Sequence, residues 1–309
     1  MRAVRARAGK VEVVDVEPPR HEGIDVTIRS AGICGSDLHL VAQGLEGVTL
    51  GHEMAGTTPD GTPVAIEPVR PCDACPACRA GDYNLCALGP TIVIGTSHDG
   101  GMAETIRVPE RCLVPLARHV RVEDACLVEP LAVAVHGLRR ARLRGDERVC
   151  VIGGGSIGLC AIAAVRAAGA PVDLVARHDA QRAAGARLGA GEPSDGYDLV
   201  IDAAGTPAAL EDAVARARPG ARLLLLATYW DGLALPGFAL CLKEVRVIPA
   251  SMYGRDGVAR DVDVAAGVLA RSELADAIIT HRFPLEAAPE AFGTAADRAS
   301  GAIKVVLEP

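Results

Sequence analysis

Aromatic residues are scarce in this sequence: they fill 3% of its 309 positions, with a single tryptophan. A core built on large rings is therefore excluded, and Ala, Gly, Val and Leu must fill the interior, as suits helices and sheets packed through small side chains. Lys and Arg read as scattered singly, no basic stretch is interleaved with aromatics, and the formal charge is −7. That balance argues against nucleic acid as the main partner. No apolar stretch reaches the roughly 18 residues of a membrane span; the nearest, VCVIGGGSIGLCAIAAV, is broken by glycines. Met1 leads straight into RAVRARAGKVEVVDVEPP, without the apolar core of a secretory leader. These absences point to the cytoplasm, with no membrane partner.

What the sequence does have is cysteine. In a reducing compartment ten cysteines speak for metal-binding thiols over disulfides. Cys72, Cys75, Cys78 and Cys86 lie in PCDACPACRAGDYNLC with two, two and seven residues between them. Four thiolates so spaced can converge on one tetrahedral zinc using local chain alone. Because protein fills every position, this zinc is structural. Cys112, Cys126, Cys150, Cys160 and Cys241 lie in apolar surroundings and read as buried small hydrophobes.

The texture of the chain changes near residue 131. Before it, VEVVDV, DVTIRSAG, TPVAIEP and AETIRVP read as strands of a mostly antiparallel, barrel-like domain. After it, apolar strands (RVCVIGG, PVDLVA, YDLVIDAAG, ARLLLLAT, KEVRVIPAS) alternate with helices, the pattern of a doubly wound parallel sheet. Asp179 is the expected N-cap of the helix in DAQRAAGARLGA. The tail beyond about 275 returns to short strands. The expected division is 1–130 plus 276–309 for a first domain and 131–275 for a second. Only Gly191 to Gly196 separate GARLGA from YDLVIDAAG, so the second sheet is trimmed by about one helix near 191–196.

Gly153, Gly155 and Gly158 of GGGSIG, with Ser156 and Ile157 between them, form G-x-G-x-x-G directly after a strand and before a helix. There a tight turn brings backbone and helix N-terminus against a dinucleotide's pyrophosphate. An acidic residue ending the second strand would select NAD. The sequence has Arg177 and His178 instead, which favours NADP(H), with NAD(H) as the alternative. Asp173 lies too early in the strand for that role.

A third set is more dispersed: Cys34-Gly35-Ser36-Asp37-Leu38-His39, then Gly51-His52-Glu53, then Glu129 in EPLAVAVHG. A thiolate, an imidazole and a carboxylate can hold a zinc and leave a position open. Taken singly, Cys34 and His52 read as a buried cysteine and a core histidine. Taken together, CGSDLH, GHE, the four-cysteine loop, DGGMAE, EPLAVAVHG, GGGSIG, ITHRFPLEAAPEAF and KVVLEP resemble the zinc-dependent medium-chain alcohol/polyol dehydrogenases, in their sorbitol, threonine and glucose dehydrogenase branch.

The resemblance implies a GroES-like catalytic domain and a Rossmann cofactor domain, and two zincs per chain, one catalytic and one structural. It implies Cys34 and His52 as catalytic zinc ligands, with Glu53 or Glu129 as the third, or the two carboxylates exchanging during turnover. Zinc would acidify a bound alcohol, Ser36 would take its proton and relay it towards His39 and solvent, and hydride would pass to the nicotinamide. Asp37 would orient its loop. The substrate would be a small secondary alcohol, polyol, sugar or cyclitol, or the corresponding ketone. Alternatives are a ketone or aldehyde reductase, and a cofactor-binding regulator without catalysis. Family members pair through the edge strand of the cofactor sheet, which implies a homodimer or homotetramer. Only twelve residues separate His39 from His52, a contracted loop that could leave a wider site for a bulky or cyclic polyol.

Overall fold

The computed structural model describes residues 1–230 and 232–309. They form two compact units, Met1–Glu129 with Gly254–Arg271 and Ile279–Pro309, and Pro130–Tyr253 with Ser272–Ile278. The first begins with a hairpin of β1 (Arg2–Arg7) and β2 (Lys10–Asp15). It continues through β3 (Ile24–Gly32), α1 (Gly35–Ala42), β4 (Glu53–Thr57) and β5 (Pro63–Ile66). Then come α2 (Pro76–Ala80), β6 (Thr105–Val108) and β7 (Leu113–Pro115). Alternation of buried and exposed side chains along β3 and β6 turns one face of the sheet onto a core of Val26, Ile28, Met54, Ile66 and Ile106.

The long helix α3 (Val128–Ala141) leads into the second unit. There β8 (Val149–Ile152), α4 (Ser156–Ala167), β9 (Val172–Val175), α5 (Asp179–Arg187) and β10 (Tyr197–Asp202) alternate. They are followed by α6 (Pro207–Arg216), β11 (Ala217–Leu225), α7 (Gly237–Leu242) and β12 (Arg246–Pro249). The five strands are parallel in the order β12-β11-β10-β8-β9. The expected trimming is present: Gly191 makes a single parallel bridge to Asp173, and residues 192–196 form no helix before β10 begins.

The chain then returns to the first unit through a small hairpin, β13 (Arg255–Asp256) and β14 (Ala259–Arg260), and α8 (Asp261–Leu269). After α9 (Leu274–Ile278) come β15 (Ile279–Pro284), α10 (Ala288–Ala296) and β16 (Lys304–Glu308). The main sheet of the first unit runs β15-β16-β3-β4-β5-β7, with β6 also paired to β3; β15 and β16 are its parallel pair.

Three expectations need correction. Gly254–Arg271 belongs with the first unit, because Arg260 reaches the backbone carbonyls of Arg111 and Leu113 and the buried carboxylate of Glu67, 3.2 Å away. The N-cap of α5 is His178, and Asp179 is the first helical residue, its carboxylate held by Arg182 one turn on. Cys241 is exposed on the short helix α7, while Cys112, Cys126, Cys150 and Cys160 are buried. No helix among the described residues is long and apolar enough to cross a membrane.

Candidate functional site

Two side-chain groups in the first unit have the make-up of metal sites. The sulfurs of Cys72, Cys75, Cys78 and Cys86 all lie within 4.8 Å of one another. Cys75 and Cys78 are 3.5 Å apart, Cys72 and Cys78 3.9 Å. Zinc–sulfur bonds of about 2.3 Å place the corners of a tetrahedron about 3.8 Å apart, so this spacing fits one zinc. The Cys72 and Cys75 backbone N–H groups donate to Cys86 and Cys72 sulfurs at 3.4 and 3.3 Å, which favours thiolates. Backbone N–H groups of Cys78 and Ala87 hold the Cys75 thiol down to about 6, and burial pushes Cys78 up to about 12. Four thiols this close cannot all ionise unless a cation sits among them.

The second group is Cys34, His52 and Glu53, with one donor atom from each again within 4.8 Å. Cys34 is the N-cap of α1, and the Asp37 carboxylate accepts its backbone N–H at 2.9 Å. Asp37 also lies 3.2 Å from His52 Nδ1, a charge contact not aligned as a hydrogen bond. That contact turns Nε2 away, where it meets the Ser36 hydroxyl at 3.3 Å. Burial alone would lower the His52 pKa; the Asp37 carboxylate and the Cys34 sulfur outweigh it and raise it well above the ordinary value. An imidazole steadied from Nδ1 by a carboxylate is the usual support for a metal-ligating histidine.

Glu53 is fully buried and its carboxylate receives Lys304 Nζ at 2.8 and 2.7 Å; the same ammonium donates to the Ile33 carbonyl at 3.0 Å. Glycine at position 32 makes room for this carboxylate, since a Cβ there would lie 2.1 Å from Glu53 Oε2. Lys304, one of three lysines in the chain, is absent from the sequence expectations. Its one signal was a charge opening the apolar run KVVLE. Glu129 is buried in the first turn of α3, outside the three-residue group. His39 lies one turn beyond Ser36 on α1, its Nε2 3.0 Å from the Gln43 amide.

In the second unit the glycine turn joins β8 to α4. Gly153 has φ +108°, and a Cβ on Gly158 would lie 1.8 Å from the Gly153 carbonyl oxygen, so the turn closes only with glycine there. A Cβ on Gly155 would meet no protein atom, and the Ser156 hydroxyl is buried without a partner at the start of α4. Open room, an orphan hydroxyl and unpaired helix N–H groups fit a phosphate. Ile157 follows in the first turn of α4. The turn lies at the switch point between β8 and β10, where open parallel sheets bind ligands. Across that point, buried Asp202 accepts the Ala204 and Gly205 N–H groups at 2.9 and 3.2 Å and the Tyr229 hydroxyl at 2.5 Å. This bracing was not legible in sequence. At the end of β9, Arg177 and His178 are exposed, with no carboxylate ending the strand. Arg182 fixes this corner by donating to the Ala176 and Arg177 carbonyls, both at 2.9 Å. Asp173 is engaged inside the strand, accepting the Tyr197 hydroxyl at 2.7 Å.

Residues 20–118 match the model of the alcohol dehydrogenase GroES-like domain. The chain is 30% identical over 295 residues to D-xylulose reductase A of Aspergillus oryzae, covering 82% of each. Its structure is similar to that of galactitol-1-phosphate dehydrogenase from Escherichia coli (TM-score 0.90, 30% identity, all of both chains covered). A zinc-binding dehydrogenase from Sinorhizobium meliloti, solved with NADP, is also similar (TM-score 0.87, 28% identity, covering 100% of this chain and 99% of that one). The chain belongs to the zinc-dependent medium-chain alcohol and polyol dehydrogenase family, and is an oxidoreductase.

Two outcomes follow from the buried charges. Lys304→Met leaves Glu53 buried without its cation and should cost the metal-free protein about 3 kcal/mol; a loss below about 1 kcal/mol by urea unfolding would contradict this. Because the His52 pKa is raised, its imidazolium persists to higher pH and competes with metal. Zinc retention at this site against a chelator should therefore rise as pH increases from about 6 to about 9, and a flat profile would refute it.

Proposed function

We propose that the protein is an NADP(H)-preferring dehydrogenase of secondary alcohols of the polyol, sugar or cyclitol class, working in both directions with the corresponding ketone. Supporting this is the cluster of Cys34, His52 and Glu53, which supplies three protein ligands and leaves one position open. When bound there, zinc supplies Lewis-acid activation of a hydroxyl or carbonyl. Cys34, His52 and Glu53 hold the metal, Asp37 steadies the imidazole, and Lys304 holds the Glu53 carboxylate; Glu129 is the alternative third carboxylate. Ser36 accepts the substrate proton at its hydroxyl oxygen and passes its own on towards His39, each group being able both to donate and to accept. Cys72, Cys75, Cys78 and Cys86 hold a second, structural zinc.

In the second unit Gly153, Gly155, Ser156, Ile157 and Gly158 receive the cofactor pyrophosphate. Arg177 and His178, with no carboxylate ending β9 to repel it, receive a 2′-phosphate. The exposed backbone of β12, at the edge of its sheet, supports pairing of two copies into a homodimer or homotetramer. The ten unjoined thiols suit the cytoplasm.

A panel of polyols, sugars and cyclitols with NADP+ and NAD+ should reveal metal-dependent oxidation; no turnover by zinc-loaded protein in either direction would overturn the reading. Arg177→Ala should weaken NADPH binding at least tenfold, about 1.4 kcal/mol, and leave NADH binding nearly unchanged; equal effects would remove Arg177 from the 2′-phosphate. Gel filtration should give a multiple of the chain mass, against a monomer mass if β12 does not pair.

A further inference from the structure

The side of the glycine turn away from β9 is organised by one buried acid. In the sheet order β12-β11-β10-β8-β9, the glycine turn leaves β8 with β9 on one side and β10 and β11 on the other. Arg177 and His178 stand at the end of β9. A dinucleotide with its pyrophosphate on the turn and its adenosine ribose at the end of β9 must extend its nicotinamide half towards the ends of β10 and β11. Those two ends are joined through Asp202, the last residue of β10.

The Asp202 carbonyl accepts the backbone N–H groups of Leu226 and Ala227 at 2.9 and 3.1 Å, just past the end of β11. Its carboxylate accepts the Ala204 and Gly205 N–H groups, which shapes the turn after β10, and the Tyr229 hydroxyl, which draws in the loop after β11. Turn and loop approach closely: Gly205 has φ +69°, and a Cβ there would lie 2.9 Å from that of Ala227. The glycine turn leans on the same place, since a Cβ on Gly153 would lie 2.9 Å from the Ala203 carbonyl carbon and the Ala204 nitrogen. Asp202 is fully buried, so a donor lost from its carboxylate is not simply replaced by bulk water. Burial, and the carboxylate beside it, push the Tyr229 hydroxyl pKa up, so it stays a donor. Thr228 and Trp230, on either side of Tyr229, are exposed. The middle of this loop is therefore placed by the bond to Asp202 more than by burial of its neighbours.

We propose that Tyr229, acting through Asp202, is a positioning residue for the nicotinamide half of the cofactor, holding the β11 loop where that half must lie. The proposal rests on the dinucleotide reading of the glycine turn. A hydroxyl donating to a carboxylate makes one of the stronger hydrogen bonds available to a neutral group, and a loop fixed before binding spares the ligand the cost of ordering it. Without the hydroxyl, Asp202 still accepts the Ala204 and Gly205 N–H groups, so the turn and the end of β9 keep their form. The adenosine half and the pyrophosphate then retain their contacts, while the nicotinamide half meets a loop that is no longer held. Loss of affinity should therefore divide between the two halves of one ligand, and should fall equally on NADPH and NADH, which differ only at the β9 end.

NADPH, NADH and 2′-phospho-ADP-ribose, which lacks the nicotinamide ring, would be titrated calorimetrically into zinc-loaded wild-type protein and Tyr229→Phe. The variant should bind NADPH and NADH about fivefold or more weakly, while its affinity for phospho-ADP-ribose stays within about twofold of wild type. Asp202→Asn provides a second variant should Tyr229→Phe not fold. Its amide offers one acceptor oxygen where the carboxylate offers two, so turn and tyrosine cannot both be served as before, and NADPH should again weaken more than the fragment. Equal weakening of NADPH and phospho-ADP-ribose, as general loosening of the second unit would give, overturns the proposal. So does unchanged NADPH affinity in the folded variants, or weakening of the fragment alone. Wild-type protein that binds none of the three ligands removes the dinucleotide reading itself, and this proposal with it.

Discussion

The ion pair between Lys304 and Glu53 ties the distant parts of the first unit together. A carboxylate removed from water this completely is tolerated only with a close countercharge, and the partner stands 251 positions along the chain. To deliver that ammonium, β16 must lie against β3, where Val306 pairs with Gly32. Gly32 pairs in turn with Glu53 on β4, so the sheet, the glycine that clears space and the acid are fixed by one arrangement. The candidate metal cluster inherits its geometry from that sheet.

The site shows how charge and packing divide the labour. Asp37 faces both the Cys34 backbone and the His52 ring, so one buried carboxylate sets the start of α1 and the direction of the imidazole. In the second unit Asp202 does similar work with neutral donors, holding a turn and a tyrosine at the switch point. In each case a buried acid organises backbone around a ligand position.

Features written within a few residues were legible in sequence. The four-cysteine spacing, the glycine turn and the alternation of apolar strands with helices each carry their geometry locally, and the shortened link at 191–196 could be counted directly. What escaped was long-range or depended on a one-residue choice. Lys304 looked like a charge on a terminal strand because nothing nearby names its partner. Gly254–Arg271 carries a helix that continues the alternating texture, so sequence placed it with the parallel sheet, while Arg260 binds it to the first unit. His178 takes the cap of α5 from Asp179 although neither side chain caps the helix there, so side-chain preference had no purchase.

The discontinuous first unit also bears on the order in which the protein is made. Pro130–Tyr253 is a continuous stretch that can complete its sheet as soon as it leaves the ribosome, apart from the short Ser272–Ile278 segment added later. The first unit cannot, because Glu53 emerges 251 residues ahead of Lys304. At about 5–20 residues per second, that carboxylate waits on the order of tens of seconds for its countercharge. During that interval the strands already made share an unfinished sheet whose edge at β3 is still open for β16. The part of the chain synthesised first is therefore among the last to reach its final form.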